Sequence, residues 1–486
     1  MRLLKYYLFL PFTLLFNFLM AQNYHAINGS PYAGSLATGN NPASIVHVPF
    51  AWDVTPLAGQ FKQTTNAVTI EKFSFLSSPG NAEVSADQGT KKRFVYANQD
   101  IRLLNARISL NSKSAIAFGA NVRNYVFANS TETNWQDTLY HLDDYMQANV
   151  GNLPISGQFA GNAWAELYGS FAHTIIDNGE KILNAGLTVK INRGLAGGYG
   201  RADGLTHALS PNGQNYLLTG GSVSYGYSSN FDNLDSNKTA SANRKIFYQK
   251  TYSSLSADIG LEYILLSAED EEGSDYAYET KIGLSMMDIG KNNYRYGRRS
   301  RLAIAGKTGI TDSIMESKFL NVTNIDNFND SLATIVGSIS GIGGAFHIYQ
   351  PARVMINIDQ HIVDNFFVNA ELTIPILPVV AKYALFVKDI NLLAITPRWE
   401  TKSLGAYFPI LVNNKQQVWV GGAFKAGPLL LGTHNLANIF SKNKTQRGGL
   451  YLALTIRPGK QLTREDRNPK NKLPGNRRRS LECPKF

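Results

Sequence analysis

Along much of this chain apolar and polar side chains alternate with a period of two. In Leu183-Asn-Ala-Gly-Leu-Thr-Val-Lys-Ile191 the odd positions are apolar and the even ones polar or glycine. Ala257 to Tyr263, Phe366 to Ile374 and Leu450 to Arg457 repeat the pattern, and Ile116, Phe118, Ala120 and Val122 alternate with Ala117, Gly119, Asn121 and Arg123. Successive side chains of a strand point to opposite faces, so each stretch sets one face in an apolar medium and the other among polar groups. A helix with this spacing would spread its charges around the whole circumference. The pattern predicts extended segments near 50–58, 66–76, 93–112, 114–128, 162–176, 182–193, 216–227, 245–265, 276–290, 301–307, 332–348, 353–363, 366–376, 392–400, 402–412, 417–426 and 448–457.

Period two alone does not separate a soluble sandwich from a membrane barrel, because both bury one face of each strand. Three features favour the barrel. The alternating segments are many. Aromatic residues fall near segment ends (Tyr125, Phe127, Tyr263, Tyr276, Tyr278, Phe366, Phe408), where an interfacial girdle needs them. The composition does not change regime before the C-terminal tail. The expected fold is therefore all-β, a transmembrane antiparallel barrel of about 14 strands, even-numbered as bacterial barrels are. Long loops are expected over 129–161, over the Gly-rich stretch 194–215, over 228–244, and over 307–330 with a short helix near 327–332.

The two ends read differently. Residues 1–21 have a basic start (Arg2, Lys5), an apolar run from Tyr6 to Phe18 and a small residue in Met20-Ala21-Gln22, the pattern of a secretory signal peptide. Beyond it no stretch offers the roughly 18 clean apolar residues of a membrane helix. The nearest, Ile374 to Ile395, is broken by Pro375, Pro378, Lys382, Lys388 and Asp389. Residues 22–49 are turn-rich, 50–458 carry the alternation, and 459–486 form a basic tail that reads as disordered. The net charge of +11 is concentrated at the ends: residues 457–486 carry +7 and Arg2 with Lys5 carry +2, which leaves +2 for the rest. That balance gives no support to nucleic-acid binding. The lone Cys483 excludes an internal disulfide framework. Export together with the alternation leads to an expected location in the outer membrane of a Gram-negative cell, and the lack of a cysteine at the cleavage point argues against a lipoprotein.

Candidate chemistry is sparse. His25, His47, His141, His173, His207, His347, His361 and His434 are scattered without metal-site spacing. Ser170 and His173 lie three apart on an expected strand, hence on opposite faces, and form no dyad. The acidic run from Glu269 to Asp275 lacks the spacing of a calcium loop and reads as a solvated hairpin tip. Gly194 to Gly200 has no parallel strand before it and no helix after it, so it is no nucleotide loop. No catalytic, cofactor-binding or metal-binding residue is expected, and the protein is not expected to be an enzyme.

Two regions resemble known proteins. Ser35-Leu-Ala-Thr-Gly-Asn-Asn-Pro-Ala-Ser-Ile45, followed by Phe50-Ala-Trp-Asp-Val54, is similar to the Asn-Pro-Ala start of an uncharacterised Bacteroidetes outer-membrane barrel family. More distantly it resembles long-chain fatty-acid transporters and type IX secretion barrels. Arg398 to Gly405, Ala426 to Gly432 and Leu450 to Ile456 resemble that family's closing hairpins, and Tyr349-Gln-Pro-Ala-Arg353 also fits. The fatty-acid transporter resemblance implies a plug at 22–49, turning at Asn40, Asn41, Pro42 and Ala43. The plain alternative is that this turn only leads into the first strand. Two functions follow: passage of a small solute, apolar if a plug and a lateral opening exist, or a scaffold in envelope assembly or type IX secretion. In the second, Arg477, Arg478 and Arg479 would contact an anionic periplasmic or secretion-system protein. The remaining expected partner is outer-membrane lipid.

Overall fold

The computed structural model describes residues 25–77, 79–136, 142–151, 154–213, 215–234, 237–267, 278–320, 322–377, 384–442 and 444–459. The signal peptide, the acidic run near 270 and the tail beyond 459 lie outside the described residues.

The alternating segments form one closed antiparallel wall. Its strands are β1 (Trp52–Thr65), β2 (Gly89–Asn111), β3 (Ser114–Trp135), β4 (Ile155–Asp177), β5 (Lys181–Leu209), β6 (Ser253–Leu266) and β7 (Tyr278–Arg295). The second half has β8 (Arg353–Val363), β9 (Phe366–Pro375) and β10 (Leu392–Glu400). β11 (Leu404–Tyr407 with Ile410–Asn413) and β12 (Val418–Val420 with Gly422–Ala426) are each interrupted once. β13 (Leu429–Thr433) and β14 (Arg447–Ile456) complete the set. Each strand pairs with its neighbours in sequence, and β1 pairs with both β2 (Thr55↔Asn105) and β14 (Leu57↔Leu454). The ring of 14 strands therefore has no free edge.

The connections divide between the two rims, most of the short turns at one and most of the long loops at the other. At one end the turns are 112–113, 178–180, 364–365, 401–403 and 427–428, and the chain enters β1 and leaves β14 there. At the other end the connections are 66–88, 136–154, 210–252, 296–352, 376–391, 414–417 and 434–446. The wall continues past the second rim. The last part of β5 leaves β6 and pairs with the strand Asn215–Tyr227 (Gly198↔Tyr227), which in turn holds Arg301–Ile304. The expected loop over 194–215 is thus strand up to Leu209. Two of its glycines are required by close ring contacts: a Cβ on Gly194 or Gly197 would meet the Tyr294 ring at 2.8 or 2.6 Å. The expected short helix near 327–332 is longer, Ile325–Ile335, and a second helix spans Asp312–Phe319.

Burial decides what period two left open. On β4 the buried positions are Asn162, Trp164, Glu166, Tyr168, Ser170 and Thr174, while Phe159, Leu167, Phe171 and Ile175 are exposed. On β5, Thr188, Lys190 and Asn192 are buried, and Leu187, Val189 and Ile191 are exposed. Every one of the barrel strands presents at least one large apolar side chain outward. A water-soluble barrel would hide those residues and expose the charges. This wall does the reverse, as a barrel in hydrocarbon must. Leu187→Lys is expected to cost about 2–4 kcal/mol of folding stability in lipid vesicles. Urea titration of the vesicle-inserted protein checks this, with Leu76→Lys, on a loop tip that is already 79% exposed, expected to leave the midpoint in place.

Candidate functional site

The lumen is occupied by the chain's own residues 25–51. This segment has two short 3-10 helices, Gly34–Gly39 and Pro42–Ile45. The second starts because Asn41 accepts the Ala43 N–H at 2.9 Å and Pro42 occupies the first helical position, where no amide hydrogen is needed. Gly34 adopts φ +56, and a Cβ there would meet the Asp53 carboxylate at 2.6 Å, so both backbone and space require glycine. His25, Ser35, Ala43 and Ile45 are all at most 1% exposed.

The segment meets the wall differently on its two sides. Toward β1–β4 and β11–β14 it packs Ile27, Leu36, Ile45 and Val46 against alanines and tyrosines such as Ala58, Ala117, Tyr407 and Tyr451. Arginines from β2 reach its carbonyls there: Arg107 donates to Ile45 O (2.6 Å) and Phe50 O (2.9 Å), and Arg102 to Leu36 O (3.1 Å). Toward β6–β10 the contacts are polar. Asn41 donates to Leu261 O (2.8 Å), Ser44 to Glu262 (2.6 Å), Asn40 to Glu371 (2.8 Å) and Ser30 to Glu400 (2.6 Å). His25 lies 2.9 Å from Glu371. The Asn41-Pro42 turn sits in a notch of three glycines on adjacent strands. A Cβ on Gly186 would meet Pro42 at 2.4 Å, on Gly260 the Asn41 Oδ1 at 2.0 Å, and on Gly283 the Asn41 Nδ2 at 3.0 Å. A small cavity of about 30 Å³ runs along this polar side, between Asn28 to Ser44 and the wall residues Glu262, Ser285, Asn357 and Glu371.

Beside Thr38 and Gly39 the wall holds a dense charge network. Asp288 sits at a bulge of β7, between the pairings of Met286 and Ile289, with φ +58. Its carboxylate receives Arg123 (2.9 Å), Lys190 (2.6 Å) and Arg353. Lys190 also pairs with Asp258 (2.8 Å), and Arg123 with Asp100 (2.7 Å). Arg353 reaches on to Gly39 O at 3.3 Å. The carboxylates Asp100, Glu166, Asp258 and Asp288 and the cations Arg102, Arg123, Lys190 and Arg353 line one cavity of about 20 Å³, which admits water but no larger solute. Their charges balance, so each is retained in low dielectric by its neighbours.

Toward the long-loop end the lumen becomes aromatic. The Arg123 guanidinium lies 5.1 Å from the Trp164 ring, which stacks on Tyr125 at 5.7 Å. Phe346 stacks on Tyr294 and Tyr296 at 5.4 and 4.6 Å. The chain at 384–391 folds inward at this level: Phe386 stacks on Phe127 at 5.6 Å, and Asp389 pairs with Lys62 of β1 at 2.9 Å. Both halves of the lumen are thus filled by protein.

Of the residues singled out in the sequence, Asn40, Asn41, Pro42 and Ala43 lie together in the lumen, against β5, β6, β7 and β9. Arg477, Arg478 and Arg479 lie outside the described residues. Ser170 faces inward, whereas the exposed His173 contacts Ser114 at 2.9 Å, so no Ser–His pair forms between them. Among the described residues no group of three metal-ligating side chains exists. Sequence reasoning missed the Asp288 network. Lys190 and Glu262 were visible as polar positions of alternating strands, but nothing in their spacing shows which cation meets which carboxylate across the lumen.

The model of a family of unknown function, DUF5723, matches residues 42–434. No curated protein matches the sequence. A mutant of the TodX monoaromatic hydrocarbon channel is similar in structure at 12% identity, with 90% of this chain and 98% of that chain covered and a TM-score of 0.41. The toluene transporter TbuX of Ralstonia pickettii is similar at 10% identity, covering 87% and 94%, with a TM-score of 0.38. A FadL homologue of Pseudomonas aeruginosa is similar at 9% identity, covering 89% and 95%, with a TM-score of 0.40. At these identities and scores the likeness carries no weight for what this chain does.

Proposed function

The chain belongs to the DUF5723 family of unknown function, and we propose that it is an outer-membrane channel for small apolar solutes, closed at rest by residues 25–51. The long-loop end faces outward and the short-turn end faces the periplasm, the arrangement of outer-membrane barrels. One observation carries the reading. Residues 25–51 fill the lumen, and on the side of β6–β10 they meet the wall through hydrogen bonds and a water-sized seam. Such contacts exchange with water at modest net cost, about 0.5–1.5 kcal/mol for the neutral pair and about 1.5–3 kcal/mol where a carboxylate accepts. A segment that only led into β1 would not need to cross the lumen to Glu371 and Glu400. The aromatic level above, with stacking faces on Trp164, Tyr294, Tyr296 and Phe346, supplies the apolar contact that a hydrocarbon solute needs.

Uptake of 1-naphthylamine by cells with an intact outer membrane tests this reading. Expression of the protein is expected to raise the rate, and Tyr294→Ala with Phe346→Ala is expected to lower it several-fold while the barrel still inserts. Uptake equal to that of cells lacking the protein would remove the channel reading. The scaffold reading would then stand, on the ground that both levels of the lumen are filled.

A further inference from the structure

Around β5–β7 the outer surface changes character over a short distance. Val189 and Ile191 of β5, Leu255 of β6 and Ile289 of β7 are 50, 58, 68 and 41% exposed. The next outward positions are Arg193 on β5 and Lys291 on β7, both exposed. Two residues along a strand span about 7 Å, so apolar belt gives way to cations within that distance on both strands. The helix Ala240–Gln249, none of whose residues is buried, sits over this boundary. Arg193 ties it down, donating to Tyr248 O at 3.1 Å at the helix C-terminus and to Thr251. Arg295 lies 5.7 Å from the ring of Tyr252, and Asn293 donates to Ser253 O at 3.1 Å, which fixes the same loop to β7.

The charge on this surface is mostly positive, with Asp232, held by Arg298, as an exception. From Lys238 to Ala257 the sequence has four cations and no carboxylate, and from Ile289 to Thr311 it has six cations and no carboxylate. Arg244, Lys245, Lys250, Lys291 and Arg295 are exposed, and among the described residues none of them is ion-paired to a carboxylate. Beside them stand exposed apolar groups: Phe231 (42%), Leu234 (46%) and Tyr248 (48%), with Phe231 edge-on to Phe247 at 5.4 Å. A loop made only for solubility would carry the cations without the aromatics. Cations on one side and aromatic rings on the other is the dress of a surface lying in a headgroup layer.

We propose that this face of β5–β7, with the helix Ala240–Gln249, binds the phosphorylated headgroup of a lipid in the leaflet at the long-loop end. The acyl chains run down over Ile191, Leu255 and Ile289. The phosphates are held by Arg244, Lys245, Lys250 and Lys291, and Phe231 and Tyr248 anchor the helix beside them. The site rests on the placement of the barrel in an outer membrane and is independent of whether the lumen opens. A lipid satisfies both halves of the surface at once; a free anion meets only the cations.

The test uses the full-length protein purified in neutral detergent, with binding of diphosphoryl lipid A and of its dephosphorylated form read by native mass spectrometry. The phosphorylated lipid is expected to bind about tenfold better, as neutralisation of a few surface cations gives. The variant Arg244→Ala, Lys245→Ala, Lys250→Ala, Lys291→Ala is expected to lose that preference, and Lys72→Ala with Lys444→Ala, exposed cations on other loops, is expected to keep it. Heat-modifiable migration on gels shows that each variant is folded. Equal binding of both lipids, a preference that survives in the fourfold variant, or complete displacement by millimolar inorganic phosphate would overturn the proposal. Uptake of 1-naphthylamine by the fourfold variant is expected to be unchanged, so loss of the lipid site and loss of the channel are read separately.

Discussion

Asp288→Asn is expected to destabilise the barrel by about 3–5 kcal/mol, the cost of removing one partner from a buried ion pair. The substitution keeps the side chain's size and its tolerance of a left-handed backbone, which φ +58 requires, so it changes charge and little else. Arg123, Lys190 and Arg353 would then share a fully buried site with one counter-charge fewer. Arg123 retains Asp100 and Lys190 retains Asp258, whereas Arg353 loses its carboxylate and keeps only the carbonyls of Pro351 and Gly39. The loss therefore falls on the residue that connects wall and lumen segment. Urea unfolding of the vesicle-inserted protein measures the change. Asp326→Asn, an exposed partner of Arg299, is the comparison, since solvent screens that pair, and its midpoint is expected to stay where it is. A midpoint for Asp288→Asn equal to that of the unaltered protein would mean that the network is not what holds β3, β5, β7 and β8 together.

The wall could be read in the sequence wherever a strand is bounded by water or lipid on one side and lumen on the other. Leu183 to Ile191, Ala257 to Tyr263 and Phe366 to Ile374 are all wall strands, and each alternation has the facing that period two demands. The count of about 14 rests on the even number that bacterial barrels favour and not on the seventeen stretches themselves: those near 66–76, 216–227, 301–307 and 332–348 lie outside the ring, and Leu429–Thr433 is not among them. What period two could not give was the direction of the faces. It was burial of Lys190, Asp258 and Glu262, beside exposure of Leu187, Ile259 and Leu261, that excluded a soluble core.

Where the strand runs beyond the membrane height, local signals mislead. Gly194 to Gly200 looks like a flexible loop because glycine is a poor strand former. In the fold Gly194 and Gly197 make room for the ring of Tyr294, about a hundred positions away, and Gly226 on the neighbouring strand does the same for Tyr199 and Tyr296. The inward fold of 384–391 is equally non-local: Asp389 is explained by Lys62, and Phe386 by Phe127. The Asn40-Asn41-Pro42-Ala43 turn was visible as a turn, but its seat was not. Gly186, Gly260 and Gly283 form a notch only once β5, β6 and β7 are in register, with Gly186 opposite Gly260.

The second large effect concerns movement of the lumen segment. Ser35 and Thr55 hold their hydroxyls 2.9 Å apart, one on the segment and one on β1, and both are fully buried. Replacing both by cysteine places two thiols within reach of a disulfide, and Cys483→Ser removes the competing thiol. The bond forms in an oxidising envelope and is cut by a small reductant. If residues 25–51 must leave their seat for a solute to pass, the bond abolishes passage without touching the wall, the loops or the aromatic level.

Uptake of 1-naphthylamine by cells carrying Ser35→Cys, Thr55→Cys and Cys483→Ser, measured before and after reduction, therefore probes the removable barrier directly. The expected result is background uptake while the bond is intact and the rate of the unaltered protein once it is cut. The same rate in both states, with the crosslink verified by mass spectrometry, would contradict it.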